Sequence, residues 1–100
     1  MISHKKKILF LGYNAIVDSV ANQLLEIGFQ LKILTDAKQS AKITDSTINE
    51  KTIICNDENE LLDELKKNYS LSYKIGISVG CPWILNKNHL SSMKFNIYNL

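Results

Sequence analysis

One hundred residues, of which 45% are apolar and 22% charged, suit one small globular domain with a single core. A net charge of +2 gives no strong field that would select nucleic acid as a partner. No apolar stretch approaches the roughly 20 residues of a membrane helix. Two cysteines make no disulfide framework and form no metal-binding cluster with histidine. We therefore expect a cytoplasmic protein that needs neither membrane nor metal.

The first half of the chain alternates strand, helix and strand. An apolar run from Lys7 to Leu11, closed by Gly12, is typical of a buried parallel strand. Apolar residues then recur three and four apart, which predicts a helix capped by Asn14 and ending near Gly28 in the left-handed conformation. A second apolar run, from Leu31 to Thr35, predicts the next strand.

The second half continues this alternation after a polar interval. Residues Asp36 to Glu50 show no hydrophobic period and predict a surface connection. Thr52 to Cys55 predicts a short third strand, after which Asn56 and Asp57 offer a cap to a helix. The leucines expected on the inward face of that helix are Leu61, Leu62 and Leu65. The remaining strands are predicted at Lys74 to Val79 and at Phe95 to Leu100, with a short helix from Asn86 between them.

Alternating strands and helices of this length predict an α/β fold, a Rossmann-like open parallel sheet with flanking helices. The first and fourth strands are the most apolar, so we expect the first at the centre of the sheet and the fourth beside it. The fifth strand should form an exposed edge through which the chain could associate with itself. Because the chain stops in or just after this strand, it is expected to be a truncated domain.

Ligands of open α/β sheets bind at the carboxyl ends of the strands. Those ends are predicted at Gly12–Asn14, Thr35–Asp36, Gly80–Trp83 and Asn99. A glycine after the first strand invites a dinucleotide hypothesis. Asn14 and Val17 occupy the second and third glycine positions of GxGxxG, so that motif fails, and Asp36 is interpreted as an ordinary loop aspartate. A small nucleotide-binding Rossmann module without catalytic activity remains the alternative hypothesis.

Two side chains of the fourth turn have competing interpretations. Cys81 could be a nucleophile, but a catalytic thiol needs a lowered pKa, and neither His4 nor His89 has a spacing that implies pairing. A structural cysteine is therefore favoured, and His89 is expected at the surface. Trp83 either lines a site for a flat heterocycle between apolar walls or plugs the edge of the sheet.

Three stretches of the sequence resemble a known family. They are KILFLGYN at the start, GISVGCPWIL in the fourth strand and turn, and FNIYNL at the end. Their order and spacing resemble the formyltransferase family, which includes methionyl-tRNA formyltransferase, glycinamide ribonucleotide formyltransferase and the sugar N-formyltransferases. The turn from Gly80 to Leu85, followed by a short helix and a strand ending in asparagine, is the most specific part.

The resemblance implies that residues 1–100 are the N-terminal portion of one catalytic domain. That domain would transfer a formyl group from 10-formyltetrahydrofolate to a primary amine. The residues implied to line the pteridine site, largely through backbone atoms, are Gly80, Cys81, Trp83 and Ile84. Asn99 matches the asparagine of the family's Asn-x-His motif, which stabilises the oxyanion.

Two of the three catalytic residues implied by the resemblance are not among these residues. The histidine of the motif would follow Leu100, and the family's aspartate lies farther along the chain. We therefore expect the parent protein to be an enzyme and these residues alone to be inactive. The Gly-Cys-Pro-Trp turn is most similar to that of the sugar N-formyltransferases, which favours a dTDP- or UDP-linked amino sugar as the acceptor. Only a tRNA acceptor would bring nucleic acid to the site.

Overall fold

The computed structural model describes residues 6–83 and 95–99 as one sheet flanked by helices. The strands are β1 (Lys7–Leu11), β2 (Gln30–Thr35), β3 (Thr52–Ile54), β4 (Ile75–Ser78) and β5 (Asn96–Asn99). The helices are α1 (Ala15–Glu26), α2 (Ala37–Ser40), α3 (Ser46–Glu50) and α4 (Glu58–Ser70). The predicted short helix from Asn86 lies outside the described residues.

The sheet has the order β3-β2-β1-β4-β5, and all four neighbouring pairs are parallel. The fold is therefore α/β with an all-parallel, five-stranded sheet, in keeping with the predicted Rossmann-like type. β1 is central and β4 lies beside it, as the apolar runs predicted. Among the described strands β5 forms one edge, where Tyr98 is 61% exposed; association through this edge stays a prediction.

Side chains of β1 alternate between two cores, one on each face of the sheet. Ile8 and Phe10 pack on the side covered by α1 and α3, where Val17 and Ile48 are fully buried. Leu9 and Leu11 pack on the opposite side, which is covered by α4. A strand segment covered by helices on both faces is buried on both sides, which explains why β1 is continuously apolar from Ile8 to Leu11.

The two long helices begin where the sequence predicts, and α1 also ends where it predicts. The Asn14 Oδ1 accepts from the Ile16 N–H at 2.9 Å, and Gly28 follows α1 with φ of 96°. At α4 the Asp57 Oδ1 accepts from the Glu60 N–H at 2.9 Å. These caps satisfy N–H groups that have no partner within the helix. In residues 6–83 and 95–99, no helix is long and apolar enough to cross a membrane.

The predicted surface connection from Asp36 to Glu50 is wrong in part, because it contains α2 and α3. Each is a single turn, of 4 and 5 residues, and is begun by an aspartate cap. Ile48 in α3 is fully buried against the α1 side of the sheet. A helix of one turn presents too few residues for a 3.6-residue period to appear in the sequence.

Candidate functional site

Three neighbouring strands end level with one another at the carboxyl edge of the sheet. Leu11 of β1 pairs with Ser78 of β4, and Ser78 pairs with Asn99 of β5. Ser78 therefore lies directly beside Asn99, and Gly80 of the turn after β4 follows two residues later in the chain. Asn99 is exposed at this edge, where parallel sheets form their ligand sites.

The turn after β4 has an exposed backbone and a half-buried side. Gly80 is exposed and has φ of 61°, a left-handed conformation that favours glycine. Cys81 and Trp83 are half-buried and pack against the core on the α4 side. Trp83 thus fits both of its interpretations, since part of the side chain packs on the core and part stays accessible. Ile84 lies outside the described residues.

The surroundings of Cys81 favour a protonated thiol. Burial raises the pKa of Cys81, the Asp36 carboxylate raises it further, and the Trp83 N–H offsets only part of this change. A nucleophilic cysteine needs the opposite, a lowered pKa that supplies thiolate near neutrality. The electrostatics therefore favour the structural interpretation of Cys81. Both His4 and His89 lie outside the described residues.

The turn after β1 is closed by its contact with the turn after β4. Gly12 has φ of 94°, and a Cβ at this position would lie 2.4 Å from the Val79 carbonyl oxygen and 2.7 Å from the Cys81 nitrogen. The Gly12 N–H donates to the Leu34 carbonyl at 2.8 Å. Gly12 thus serves the close approach of two backbone segments, which leaves no space between them for a phosphate.

One side chain that the sequence did not single out joins three segments of this edge. The Gln39 Oε1 accepts from the Tyr13 N–H at 2.8 Å and from the Thr35 hydroxyl at 2.6 Å. Its Nε2 donates to the Gly80 carbonyl at 2.8 Å. Asp36 Oδ1 accepts from the Gln39 N–H at 2.8 Å, so the aspartate considered for ribose binding is the N-cap of α2.

A polar cluster lies beneath the turn after β1. The Tyr13 hydroxyl donates to Asp18 Oδ2 at 2.7 Å, and the amide of Asn22 donates to Asp45 Oδ2 at 3.2 Å. Burial, followed by the hydrogen bond and charge of Asp18, raises the pKa of Tyr13 to about 12. The cluster therefore keeps Tyr13 neutral. The Tyr13 side chain packs in the core on the α1 side of the sheet.

A separate cavity of about 440 Å³ opens near the amino ends of β2 and β3. Its lining includes Lys32, Lys51 and Tyr73. The Lys32 ammonium already donates to Asn68 Oδ1 at 2.9 Å and lies 5.3 Å from the centre of the Tyr73 ring. The cavity also opens at the amino end of the strands, which is opposite to the usual ligand site of a parallel sheet. In residues 6–83 and 95–99, no group of three metal-binding side chains occurs.

Comparisons with models of protein families, with curated proteins and with solved structures find no match to this chain. The site is therefore defined by the geometry of the chain itself. Its parts are an accessible turn after β4, Asn99 on the neighbouring strand, and the Gln39 amide that joins the turn to β1 and β2.

Proposed function

We propose that this chain forms the folate-binding part of an N-formyltransferase site. In this proposal the turn from Gly80 to Trp83 holds the pteridine of 10-formyltetrahydrofolate, and Asn99 binds the reacting formyl oxygen. The observation that carries the proposal is the register of Ser78 with Asn99, which puts the turn and the asparagine on neighbouring strands of one sheet edge. A half-buried indole beside exposed backbone suits a flat heterocycle that is bound by stacking and by peptide groups.

The proposed reaction transfers the formyl group between two nitrogens. The nitrogen of a primary amine forms a bond with the formyl carbon, giving a tetrahedral species whose oxygen is negative. Asn99 would donate an amide N–H to this oxygen, and such donors lower the barrier because the charge develops only during the reaction. The bond to folate N10 then breaks, and the proton lost by the attacking amine would pass to N10 through the histidine and aspartate that the resemblance implies after Leu100.

The proposed acceptor is an amino sugar linked to dTDP or UDP. Its support is the likeness of the Gly-Cys-Pro-Trp turn to that of the sugar N-formyltransferases. The nucleotide-binding alternative has less support, because the Tyr13 N–H is bonded to Gln39 and the Gly12 backbone is packed against the next turn. A phosphate at the start of α1 would have to displace these contacts.

Folate binding can be measured directly, because Trp83 is the single tryptophan of the chain and lies in the proposed site. Titration with 5-formyltetrahydrofolate, a stable relative of the donor, should quench Trp83 emission to saturation, whereas NAD should not. Isothermal titration of Trp83→Phe should show weaker folate binding. Saturable binding of NAD without binding of the folate would overturn the proposal in favour of the nucleotide module.

The role of Asn99 requires an activity measurement on a protein that carries the proposed histidine and aspartate together with these residues. Asn99→Ala should lower kcat by about 10²–10³, the usual loss when one oxyanion donor is removed. Asn96→Ala is the matched control, since Asn96 is an exposed asparagine at the opposite end of β5. Asn96→Ala should keep its activity. Near-normal turnover of a folded Asn99→Ala variant would refute the assigned role.

A further inference from the structure

We infer that Gln39 is the positioning residue of the candidate site, fixing the turn after β4 through the Gly80 carbonyl. The inference deepens the proposed function, on which it rests for the identity of the ligand. The positioning of the turn by Gln39 does not depend on which ligand the site binds. Gln39 does not need to touch the ligand, because it acts on the backbone that is proposed to hold the pteridine.

The amide of Gln39 is bound from three directions by groups of different segments. The Tyr13 N–H belongs to the turn after β1, and the Thr35 hydroxyl belongs to the end of β2. The Gly80 carbonyl belongs to the turn after β4. One side chain therefore links the ends of three of the five strands across the carboxyl edge of the sheet.

Glutamine is the side chain that these partners require. A backbone N–H can only donate and a carbonyl oxygen can only accept, so the two ends of the amide have fixed orientations between Tyr13 and Gly80. Glutamate supplies the acceptor but, when ionised, has no donor for Gly80. Methionine has similar length and volume and supplies neither a good acceptor nor a donor. The requirement can therefore be tested with substitutions of nearly constant size.

Gln39 is itself held in place before it reaches the turn. The Gln39 backbone N–H donates to the Asp36 cap of α2. Thr35, whose hydroxyl donates to the Gln39 Oε1, is fully buried at the end of β2. Gly80 by contrast is exposed, and a Cβ added there would find its nearest neighbour at 4.0 Å, the Gln39 Nε2. Side-chain packing thus does little to hold Gly80. Besides the backbone contact of this turn with Gly12, the bond from Gln39 is what joins the Gly80 carbonyl to a fixed part of the sheet.

The first test measures the turn without any ligand, through acrylamide quenching of Trp83. Gln39→Met should increase the quenching constant severalfold, because a released turn exposes the indole. Gln23→Met is the control, since Gln23 is an exposed glutamine of α1. Thermal unfolding is followed in parallel to establish that the variants are folded. Quenching of folded Gln39→Met that equals the parent's would overturn the inference.

A second variant separates the hydrogen bond from simple packing. Gln39→Glu should expose Trp83 at pH 7, when the new carboxylate faces the Gly80 carbonyl and lies near Asp36. As the pH falls through the titration of that carboxyl, ordinarily near about 4.3, the protonated acid regains a donor and quenching should return towards the parent's. Asp36 and Cys81 are the titratable neighbours common to both proteins, so the variant is compared with the parent at each pH. A difference that does not change with pH would contradict a role through the Gly80 bond, even if Gln39→Met failed to fold.

A third measurement joins the inference to the ligand. At pH 7.5 both Gln39 variants should bind 5-formyltetrahydrofolate roughly tenfold more weakly than the parent, the effect of losing one ordinary hydrogen bond. If the parent itself does not bind the folate, the proposed function fails while the quenching experiments still decide the role of Gln39. Altered quenching together with parental folate affinity would overturn the positioning role and leave the proposed function intact.

Discussion

The turns after β1 and β4 begin alike and are used differently. Both have a glycine with positive φ close after a strand, and both lie at the carboxyl edge of the sheet. A Cβ added at Gly12 would lie 2.4 Å from the Val79 carbonyl oxygen, whereas a Cβ added at Gly80 would find its nearest neighbour at 4.0 Å. A glycine after a strand therefore does not by itself indicate a phosphate site, because close packing of two backbones requires the same residue.

Among the substitutions that test this difference between the two turns, the largest effect on stability is expected at Gly12. Gly12→Ala should lower the free energy of unfolding by about 3–5 kcal/mol, combining left-handed strain with the overpacking of a Cβ against backbone atoms. Gly28→Ala is the matched control, since Gly28 has φ of 96° and nothing within 4 Å of the added Cβ. It should cost about 1 kcal/mol. Urea unfolding followed by circular dichroism measures both.

Gly80→Ala is the third substitution of this series. Its result can contradict the difference in packing between the two turns. Gly80 has the left-handed strain of Gly28 and no close neighbour, so the variant should resemble Gly28→Ala. If Gly80→Ala destabilised the protein as much as Gly12→Ala does, the two turns would be equally packed. The distinction between a closed and an accessible turn would then be wrong.

A smaller effect is expected in alkaline solution from Tyr13, beneath the closed turn. Its pKa rises from about 10 in the unfolded chain to about 12, so unfolding releases a proton between these values. Stability should therefore fall as the pH rises from 10 to 12, by at most about 2–3 kcal/mol from this group. Tyr13→Phe removes this contribution.

The measurement is urea unfolding of the parent and of Tyr13→Phe between pH 8 and pH 12. Tyr13→Phe should be less stable at pH 8, since Asp18 loses its hydrogen bond, and the gap should narrow above pH 10. Burial also raises the pKa of Cys55, to about 11, but both proteins share this contribution. A gap that stays constant to pH 12 would contradict the raised pKa of Tyr13.

The smallest effect is expected from Cys81 in the accessible turn. Cys81→Ala removes a half-buried thiol, so stability should fall by about 1 kcal/mol or less and folate affinity by less than about twofold. The thiol should also react slowly with iodoacetamide at pH 7, because its raised pKa leaves little thiolate. Fast, selective alkylation of Cys81 would instead support the interpretation of Cys81 as a nucleophile.

Sequence patterns predicted β1, β2 and the long helices because these elements bury continuous or periodic apolar faces. The central place of β1 followed from the same physics, since the part of a strand that is covered on both faces, here Ile8 to Leu11, is apolar throughout. The level register of Ser78 and Asn99 was implied only in outline, by the rule that parallel strands present their carboxyl ends at one edge.

The role of Gln39 had no local signal in the sequence. Its partners are up to 41 positions away, and a polar residue in an aperiodic stretch is usually exposed. The burial of Ile48 was missed for a related reason, because one apolar residue in a single-turn helix forms no pattern. The hydrogen bonds of Gln39 and the burial of Ile48 can be recognised only once the strands that bring their partners together have been placed.

The central place of β1 also has a consequence for how the chain is made. β1 is synthesised first, but one of its two neighbours is β4, and the pairing of Ile8 with Ile75 spans most of the sequence. On the ribosome, one edge of the most apolar strand therefore stays without its partner until nearly four-fifths of these residues have emerged. Such distant pairing slows folding and leaves a nascent apolar edge exposed, the situation in which chaperones bind.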